Sequence, residues 1–207
     1  MIAGLIRLVT GVRARWIGCE PLTTHQRIYF ANHTSNLDLP VIWASLPDDL
    51  RARVRPIAAQ DYWERGPLRR WLAHRVFRAV LIARSGITAA NNPLTAMEAA
   101  LADGASLVIF PEGTRNQDDE LKPFKAGLWH LARKHPEIEL VPVHLENLNR
   151  ILPKGEVILI PLLAQVRFGA PIAVVEGEDK ASFLARARAA VAALAEIDEL
   201  SPTEATP

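Results

Sequence analysis

Two side chains in this sequence stand at a spacing that suits proton transfer, His33 and, five positions later, Asp38. A carboxylate that accepts a hydrogen bond from one ring nitrogen of a histidine fixes its tautomer. The other nitrogen can then take a proton from a substrate. The spacing works if the chain turns from a strand into a helix between the two residues. The pair therefore predicts a general base, and the alternative is a local Asx or Ser turn with His33 on the surface at a helix start.

A second group of polar residues follows about 75 positions later, in the segment Phe-Pro-Glu-Gly-Thr-Arg at 110–115. Gly113 permits close approach of a ligand to the backbone, and Thr114 offers a hydroxyl. The guanidinium of Arg115 offers parallel donors that suit phosphate oxygens. Two lysines follow, Lys122 and Lys125. The segment predicts an anion site, and the alternative is a tight turn closed by an ion pair between its glutamate and its arginine.

Taken together, the two segments resemble a known family. Asn-His-x-Ser-x-x-Asp at 32–38 and Phe-Pro-Glu-Gly-Thr-Arg at 110–115 are similar to motifs of the glycerolipid acyltransferases of the lysophosphatidate (1-acylglycerol-3-phosphate) acyltransferase type. Val-Leu-Ile-Ala-Arg at 80–84 resembles a third element of that family, a strand that ends in arginine. Val-Pro-Val at 141–143 resembles the fourth. The resemblance covers residues from about 25 to 175.

The resemblance implies roles for particular residues. His33 and Asp38, the ends of an NHxxxxD motif, would be the catalytic pair. The arginine strand and the second motif would bind the glycerol phosphate, with the substrate-binding residues Arg84, Glu112, Gly113, Thr114 and Arg115. The acyl group would arrive as a thioester, on coenzyme A or on acyl carrier protein, and this donor is a substrate. The resemblance therefore implies no metal and no other cofactor.

The elements that position these residues follow from the alternation of short apolar runs with helix-like stretches. This alternation predicts an α/β fold, a single domain with a mostly parallel sheet of about seven strands flanked by helices. Strands are expected at Arg27–Ala31, Arg55–Ala59, Ala79–Ala83, Leu107–Phe110, Glu139–Val143, Val157–Ile160 and Gln165–Phe168. Helices are expected at Leu39–Leu46, Pro67–Arg75, Pro93–Ala102, Ala126–Lys134 and Lys180–Glu196.

Composition narrows the class of protein. The 207 residues include one cysteine, Cys19, so no intrachain disulfide can form, and a reducing, cytoplasmic location is expected. The longest stretch without a charged residue, Ser85 to Met97, has 13 residues, against the roughly 20 apolar residues of a membrane span. Motifs of serine-elbow hydrolases, zincins, P-loop enzymes and Rossmann dehydrogenases do not occur in the sequence.

Charge is distributed unevenly along the chain. Residues 1–84 hold 13 arginines against 6 acidic residues, and residues 85–207 hold 11 basic against 17 acidic residues. Nine of the arginines lie between Arg51 and Arg84, interleaved with tryptophan and phenylalanine. Solvated surface charge is one interpretation of this cluster. The others are contact with an anionic membrane surface, with a phosphorylated substrate or with an acidic carrier protein.

The two ends of the chain differ from the middle. Apolar residues recur at helical spacing in residues 1–16, which predicts an amphipathic helix there that either packs on the protein's own sheet or lies in a membrane interface. The acyltransferase domain is expected at 17–200. The small, polar and proline-containing tail at 201–207 is expected to be disordered.

The resemblance, taken with these observations, implies an acyltransferase of phospholipid biosynthesis, attached peripherally to the cytoplasmic face of the cell membrane. It would move a fatty acyl group from acyl-CoA or acyl carrier protein to the free hydroxyl of 1-acylglycerol 3-phosphate and give phosphatidate. Its partners would be the lysophospholipid, the thioester donor and the membrane surface, with no nucleic acid. The alternatives are transfer to another lysolipid or to glycerol 3-phosphate, hydrolysis of the thioester, and a non-catalytic module that binds a membrane or a carrier.

Overall fold

A computed structural model describes residues 1–88, 91–116, 118, 120–148 and 163–197. Within these residues a seven-stranded sheet forms the centre of the molecule. Its strands are β1 (Arg13–Trp16), β2 (Arg27–Ala31), β3 (Val54–Ala59), β4 (Val80–Ile82), β5 (Ser106–Ile109), β6 (Glu139–Glu146) and β7 (Gln165–Phe168). Their order across the sheet is β1-β7-β6-β2-β5-β3-β4. Every neighbouring pair is parallel except β6 and β7.

Helices cover both faces of this sheet. They are α1 (Ile2–Thr10), α2 (Asp38–Ser45), α3 (Asp48–Arg53), α4 (Gln60–Trp63), α5 (Pro67–Trp71), α6 (Pro93–Ala102), α7 (Gly127–Lys134) and α8 (Lys180–Ala193). A π-helical segment, Leu72–Val76, continues α5. The predicted α/β class with a mostly parallel sheet of about seven strands is confirmed.

The core explains why β2, after its first residue Arg27, consists of apolar and aromatic residues. All five of its residues are buried, as parallel strands covered on both faces require. Ile28 and Phe30 face one apolar cluster, which includes Leu128 of α7 and Phe183 of α8. Tyr29 and Ala31 face another, and this second cluster includes residues of α2. The central strand is therefore fixed from both sides, and its carboxyl end is a rigid platform.

The predicted elements that fall in described regions occur with small shifts in their ends. The expected strand at Val157–Ile160 and the tail at 201–207 lie outside the described residues. Two short helices, α3 and α4, were not predicted. The expected helix Pro67–Arg75 ends as an α-helix at Trp71 and becomes π-helical, and its last turn donates from the Phe77 N–H to the Leu72 carbonyl at 2.9 Å.

The prediction of one helix over residues 1–16 was wrong in its extent. Helix α1 ends at Thr10, and Gly11 adopts a left-handed conformation with φ of 58°. Residues 13–16 then form β1, an edge strand parallel to β7. The indole of Trp16 stacks on Phe168 with ring centroids 4.0 Å apart. This pairing with a strand some 150 residues away along the sequence outweighs the local helical pattern.

Helix α1 has two apolar faces. One face packs on α2 and buries Ala3, and the Arg7 Nε donates to the carbonyl of Ala44 at 2.6 Å, near the carboxyl end of α2. The other face leaves Leu5 and Leu8 exposed, at 60% and 82%. Packing on the protein's own fold, one of the two interpretations of this segment, therefore accounts for one face only. None of the helices in the described ranges is long and apolar enough to cross a membrane.

Candidate active site

The two polar segments follow neighbouring strands at the same edge of the sheet. β2 and β5 are parallel neighbours, and their register pairs Phe30 with Ile109. His33 and Glu112 each lie three positions beyond that pair. Carboxyl ends of parallel strands are the usual location of sites in open α/β sheets. The sheet therefore brings together two segments that are about 75 residues apart in sequence.

The imidazole of His33 is held between a carboxylate and an aromatic ring. Its Nδ1 lies 2.8 Å from Oδ2 of Asp38. Its ring stacks on Phe110, with centroids 4.3 Å apart and planes 21° from parallel. The Asp38 side chain is fully buried, whereas that of His33 is 23% exposed. With Nδ1 directed at Asp38, Nε2 is the ring nitrogen that a substrate can reach.

The loop before α2 supplies further donors to Asp38. Backbone N–H groups of Thr34 and Ser35 donate to Oδ2 at 2.6 and 2.8 Å. Together with the imidazole they stabilise the negative charge of a carboxylate that no water reaches. The Ser35 hydroxyl also accepts from the Leu37 N–H at 3.2 Å, which closes a local turn. The predicted pair and the alternative local turn are therefore parts of the same loop.

Two side chains attach this loop to the strands around it. The Asn32 amide donates to the Leu145 carbonyl at 2.9 Å and accepts from the Leu145 N–H at 2.7 Å, so it prolongs the pairing of β2 with β6. Glu112 is buried, and its two oxygens accept from the backbone N–H groups of His33 and Lys122 at 2.9 and 3.1 Å. The Asn116 N–H donates to the His33 carbonyl at 2.6 Å. His33 is thus fixed at both its N–H and its carbonyl.

The second segment makes a tight turn, as its alternative interpretation proposed. The Gly113 N–H donates to the Phe110 carbonyl at 2.9 Å, and Gly113 has φ of 73°. A Cβ at Gly113 would lie 2.4 Å from the Lys125 ammonium, so a side chain there would displace that charge. The ion pair of that interpretation does not form, because both carboxylate oxygens of Glu112 bind backbone N–H groups. Thr114 is exposed.

A cavity of about 100 Å³ opens beside the His33 ring. Arg84 and Arg115 contribute two positive charges to it, while Leu39, Ile57 and Trp63 are among its apolar residues. Of the residues predicted to act, His33, Arg84 and Arg115 line this cavity. Asp38 lies behind His33. Glu112, Gly113 and Thr114 are not among the lining residues, so their predicted contact with substrate stays a prediction.

The two arginines of the cavity differ in their partners. The Arg84 Nε donates to Oδ1 of Asp61 at 3.0 Å, and its Nη2 donates to Oδ2. No hydrogen bond or ion pair joins the guanidinium of Arg115 to the described part of the chain. Within the described residues, Arg115 is therefore the arginine of the cavity whose guanidinium has no partner. In the same part of the chain, no group of three or more His, Cys, Asp or Glu residues is placed to hold a metal ion.

Sequence reasoning missed three contributors to this site. Asn32 and Phe110 belong to the two motifs, but the sequence predicts no role for them, and it predicts none for Asp61. The signal for Asp61 is its position, since it lies two residues beyond β3 as Arg84 lies two beyond β4. The contact of Phe110 with His33 depends on the register of β2 and β5, which the sequence does not state.

Comparison with known proteins decides the family. A family model described as Acyltransferase matches residues 13–146. The chain belongs to the acyltransferase family. It is 30% identical over 179 residues to a 1-acyl-sn-glycerol-3-phosphate acyltransferase of Limnanthes douglasii, which covers 83% of this chain and 59% of the relative. It is 29% identical over 171 residues to 1-acyl-sn-glycerol-3-phosphate acyltransferase alpha of Homo sapiens, which covers 81% of this chain and 57% of that protein.

These matches also set the extent of the likeness. The chain spans a little over half the length of these curated relatives. A solved structure, that of the 1-acyl-sn-glycerophosphate (LPA) acyltransferase PlsC from Thermotoga maritima, superposes with a TM-score of 0.74 at 19% identity. The match covers 94% of this chain and 76% of that one. It shows that the two chains share a fold, and the resemblance to acyltransferases stated from the motifs is confirmed.

Proposed function

We propose that this acyltransferase moves a fatty acyl group from a thioester to the free hydroxyl of 1-acylglycerol 3-phosphate, which gives phosphatidate. One observation carries the proposal: His33, fixed by Asp38 through Nδ1, lines a cavity that also contains two arginines. A general base beside an anion site is the pairing that this reaction needs. The names of the matched relatives support the same acceptor.

In the proposed reaction Nε2 of His33 takes the proton of the acceptor hydroxyl while the oxygen attacks the thioester carbonyl carbon. The buried carboxylate of Asp38 stabilises the imidazolium that forms. The tetrahedral intermediate then collapses, the carbon–sulfur bond breaks, and the thiolate takes the proton from His33. The products are an ester and a free thiol. No electron is gained or lost, so the reaction as proposed needs no redox cofactor.

Recognition of the acceptor is assigned to the positive side of the cavity. The guanidinium of Arg115 has no partner among the described residues, and Arg84 contributes a second guanidinium. The cavity is smaller than the 300–1,000 Å³ that pockets for whole ligands occupy. It suits a glycerol phosphate headgroup, and the acyl chain of the acceptor would lie outside it. In this proposal Glu112 does not contact the acceptor. It holds the backbones of His33 and Lys122 in place.

A lipid acceptor requires contact with a membrane. Two exposed apolar patches support peripheral attachment to it. The first is the outer face of α1, with Leu5, Leu8 and Val9. The second is α5, where Leu68 and Trp71 are 67% and 49% exposed. Both elements adjoin the same apolar cluster, through Ile6 in the first case and Leu72 after the second. The two patches would therefore meet the cytoplasmic face of the membrane together.

The arginines between Arg51 and Arg84 fall into two groups. Five have partners within the fold: Arg51, Arg53, Arg55, Arg78 and Arg84. The other four are exposed on or near α5: Arg65, Arg69, Arg70 and Arg75. Of these, Arg69 stacks over the Tyr62 ring, with Cζ 4.4 Å from the ring centroid. Basic residues beside exposed leucine and tryptophan suit the headgroup region of an anionic membrane. The cluster is thus partly structural, and only its exposed part is available for a membrane or for an acidic acyl carrier protein.

The test is acyl transfer by the purified chain. It is incubated with a labelled acyl-CoA or acyl carrier protein and a panel of acceptors: lysophosphatidate, lysophosphatidylcholine, glycerol 3-phosphate and monoacylglycerol. Mass spectrometry then identifies the products. We expect labelled phosphatidate. The rates with acyl-CoA and with acyl carrier protein show which of the two is the better donor. Transfer to another acceptor only, or release of free fatty acid without any acceptor, would contradict it.

A further inference from the structure

Asp61 and Arg84 follow the carboxyl ends of two neighbouring parallel strands. β3 and β4 are neighbours, and their last pair joins Ala59 to Ile82. Asp61 lies in the first turn of α4, which begins directly after β3, and Arg84 lies two residues beyond β4. The contact therefore joins the start of α4 to the segment that follows β4.

The pair is bidentate and leaves part of the guanidinium unused. Nε and Nη2 of Arg84 donate to the two oxygens of Asp61. A guanidinium has five N–H groups, and this arrangement occupies the edge formed by Nε and Nη2. The edge formed by Nη1 and Nη2 remains for a second anion. Arg84 lines the cavity beside His33, whereas Asp61 is not among the lining residues.

Arg84 favours the charged form of the Asp61 carboxyl. Its hydrogen bond with Arg84 lowers the pKa of the Asp61 carboxyl below the usual value for aspartate. Both side chains are about half exposed, at 49% for Asp61 and 51% for Arg84. Without Asp61 an arginine with this exposure would sample many rotamers, and binding of a phosphate would have to restrict them.

We propose that Asp61 is a positioning residue for the acceptor: it holds the Arg84 guanidinium so that its free edge faces the phosphate. The inference rests on the proposed function, because the phosphate is that of lysophosphatidate. This role differs from competition between Asp61 and the phosphate for Arg84. A carboxylate that competed with the phosphate for the same edge of Arg84 would weaken binding of the acceptor, and its removal would strengthen it.

The experiment compares KM and kcat for four variants: Asp61→Asn, Asp61→Glu, Arg84→Ala and Glu64→Gln. Asp61→Asn is expected to raise KM for lysophosphatidate about three- to tenfold, with kcat and KM for the thioester within about twofold of wild type. Asp61→Glu keeps the carboxylate and is expected to restore part of the affinity. Glu64→Gln removes the same charge nearby, from a side chain that pairs with Gln60 at 2.9 Å, and serves as the control.

Two further comparisons isolate the mechanism. Asp61→Asn combined with Arg84→Ala is expected to bind lysophosphatidate no more weakly than Arg84→Ala alone, because Asp61 acts through Arg84. Any transfer to monoacylglycerol, which has no phosphate, is expected to be the same in wild type and Asp61→Asn. A lower KM in Asp61→Asn would show competition and overturn the inference.

The outcomes separate this inference from the function on which it rests. If the wild-type chain acylates no phosphate-bearing lysolipid, the proposed function is wrong and the positioning role is wrong with it. If wild type acylates lysophosphatidate but Asp61→Asn changes KM no more than Glu64→Gln does, only the positioning role is wrong. An additive effect of Asp61→Asn and Arg84→Ala would lead to the same conclusion.

Discussion

The backbone N–H of His33 donates to the carboxylate of Glu112 at 2.9 Å, and this bond joins the two motifs into one unit. The second oxygen of Glu112 accepts from the Lys122 N–H. His33 of the first motif is therefore positioned by the second motif, and the loop that follows is fixed by the same side chain. Because Glu112 is buried, no water replaces either bond when the carboxylate is removed.

Glu112→Gln tests this link. An amide can accept one of the two N–H bonds, but its own NH₂ group then faces the other donor. An unpaired buried donor costs about 1–3 kcal/mol, so we expect a lower free energy of unfolding by denaturant. We also expect kcat to fall by at least about tenfold, because His33 loses its fixed position. Glu120→Gln is the matched control, since the Glu120 side chain is 94% exposed and should tolerate the change. Normal activity in Glu112→Gln would mean that the link is not needed.

Arg115→Ala tests recognition of the phosphate. The guanidinium lines the cavity and has no partner among the described residues, so its removal should change binding more than folding. We expect KM for lysophosphatidate to rise by about tenfold or more, the value of a charge-assisted hydrogen bond, with little change in KM for the thioester. Arg188→Ala, on α8 and outside the cavity, is the control. An equal rise in both KM values would contradict the assignment of Arg115 to the acceptor.

Some strands of this protein could be predicted from the sequence and others could not, for physical reasons. Strand β2 was predicted with its observed bounds because parallel strands buried on both faces are rich in apolar residues, as positions 28–31 are. Strand β1 was missed because two arginines and a tryptophan read as the end of a helix, while the partner of this strand, β7, is distant in sequence.

In the site, too, some contacts could be predicted from the sequence and others could not. The contact of His33 with Asp38 was predicted from their spacing together with the strand before them and the helix after them, because five residues span a strand-to-helix turn. The hydrogen bond between Glu112 and the His33 backbone depends on the register of two strands. The pair of Asp61 with Arg84 depends on the pairing of β3 with β4 and on the start of α4 directly after β3. Contacts of this kind cannot be read from local patterns, since one residue of slip would remove them.

Leu5→Gln combined with Leu8→Gln tests membrane contact. Both side chains are exposed on α1, so the double variant should fold as wild type does. Burial of a leucine contributes about 1.5–3 kcal/mol, and we expect sedimentation with anionic vesicles to fall by at least about tenfold. Activity on vesicle-embedded lysolipid should fall as well, while activity on detergent-dispersed lysolipid should not. Val175→Gln changes another exposed apolar residue and is the control. Unchanged sedimentation would exclude α1 as the docking element.

The pH dependence of stability should report on His144. Burial, followed by the positive charge of Arg167, lowers the pKa of His144 from its ordinary value of 6.5 to about 4. The unfolded chain therefore binds a proton between these values that the folded protein does not. Stability is fully present above about pH 6.5 and should fall towards pH 4, with a slope of up to about 1.4 kcal/mol per pH unit from this group.

His144→Gln removes this contribution and should flatten the slope of unfolding free energy over the same range, as measured by urea titrations at several pH values. His130→Gln changes an exposed histidine and serves as the control. If the two variants show equal slopes, protonation of His144 is not what destabilises the folded state in acid.

The proposed reaction depends most on the His33 and Asp38 pair. Asp38→Asn keeps the shape of the side chain, but an amide can donate to Nδ1 and favour the wrong tautomer, so a severe loss of kcat is expected. The buried amide also has to replace a carboxylate that accepts from Thr34 and Ser35, so its folding must be checked by circular dichroism. His33→Ala is the cleaner variant, because the His33 side chain is partly exposed.

The most direct measurement is therefore kcat of His33→Ala for formation of phosphatidate from lysophosphatidate and an acyl thioester, in protein shown to be folded. We expect a decrease of about 10²–10⁴-fold or more, with the melting temperature close to that of wild type. A folded His33→Ala variant that retains kcat within about tenfold of wild type would contradict a general base at this position.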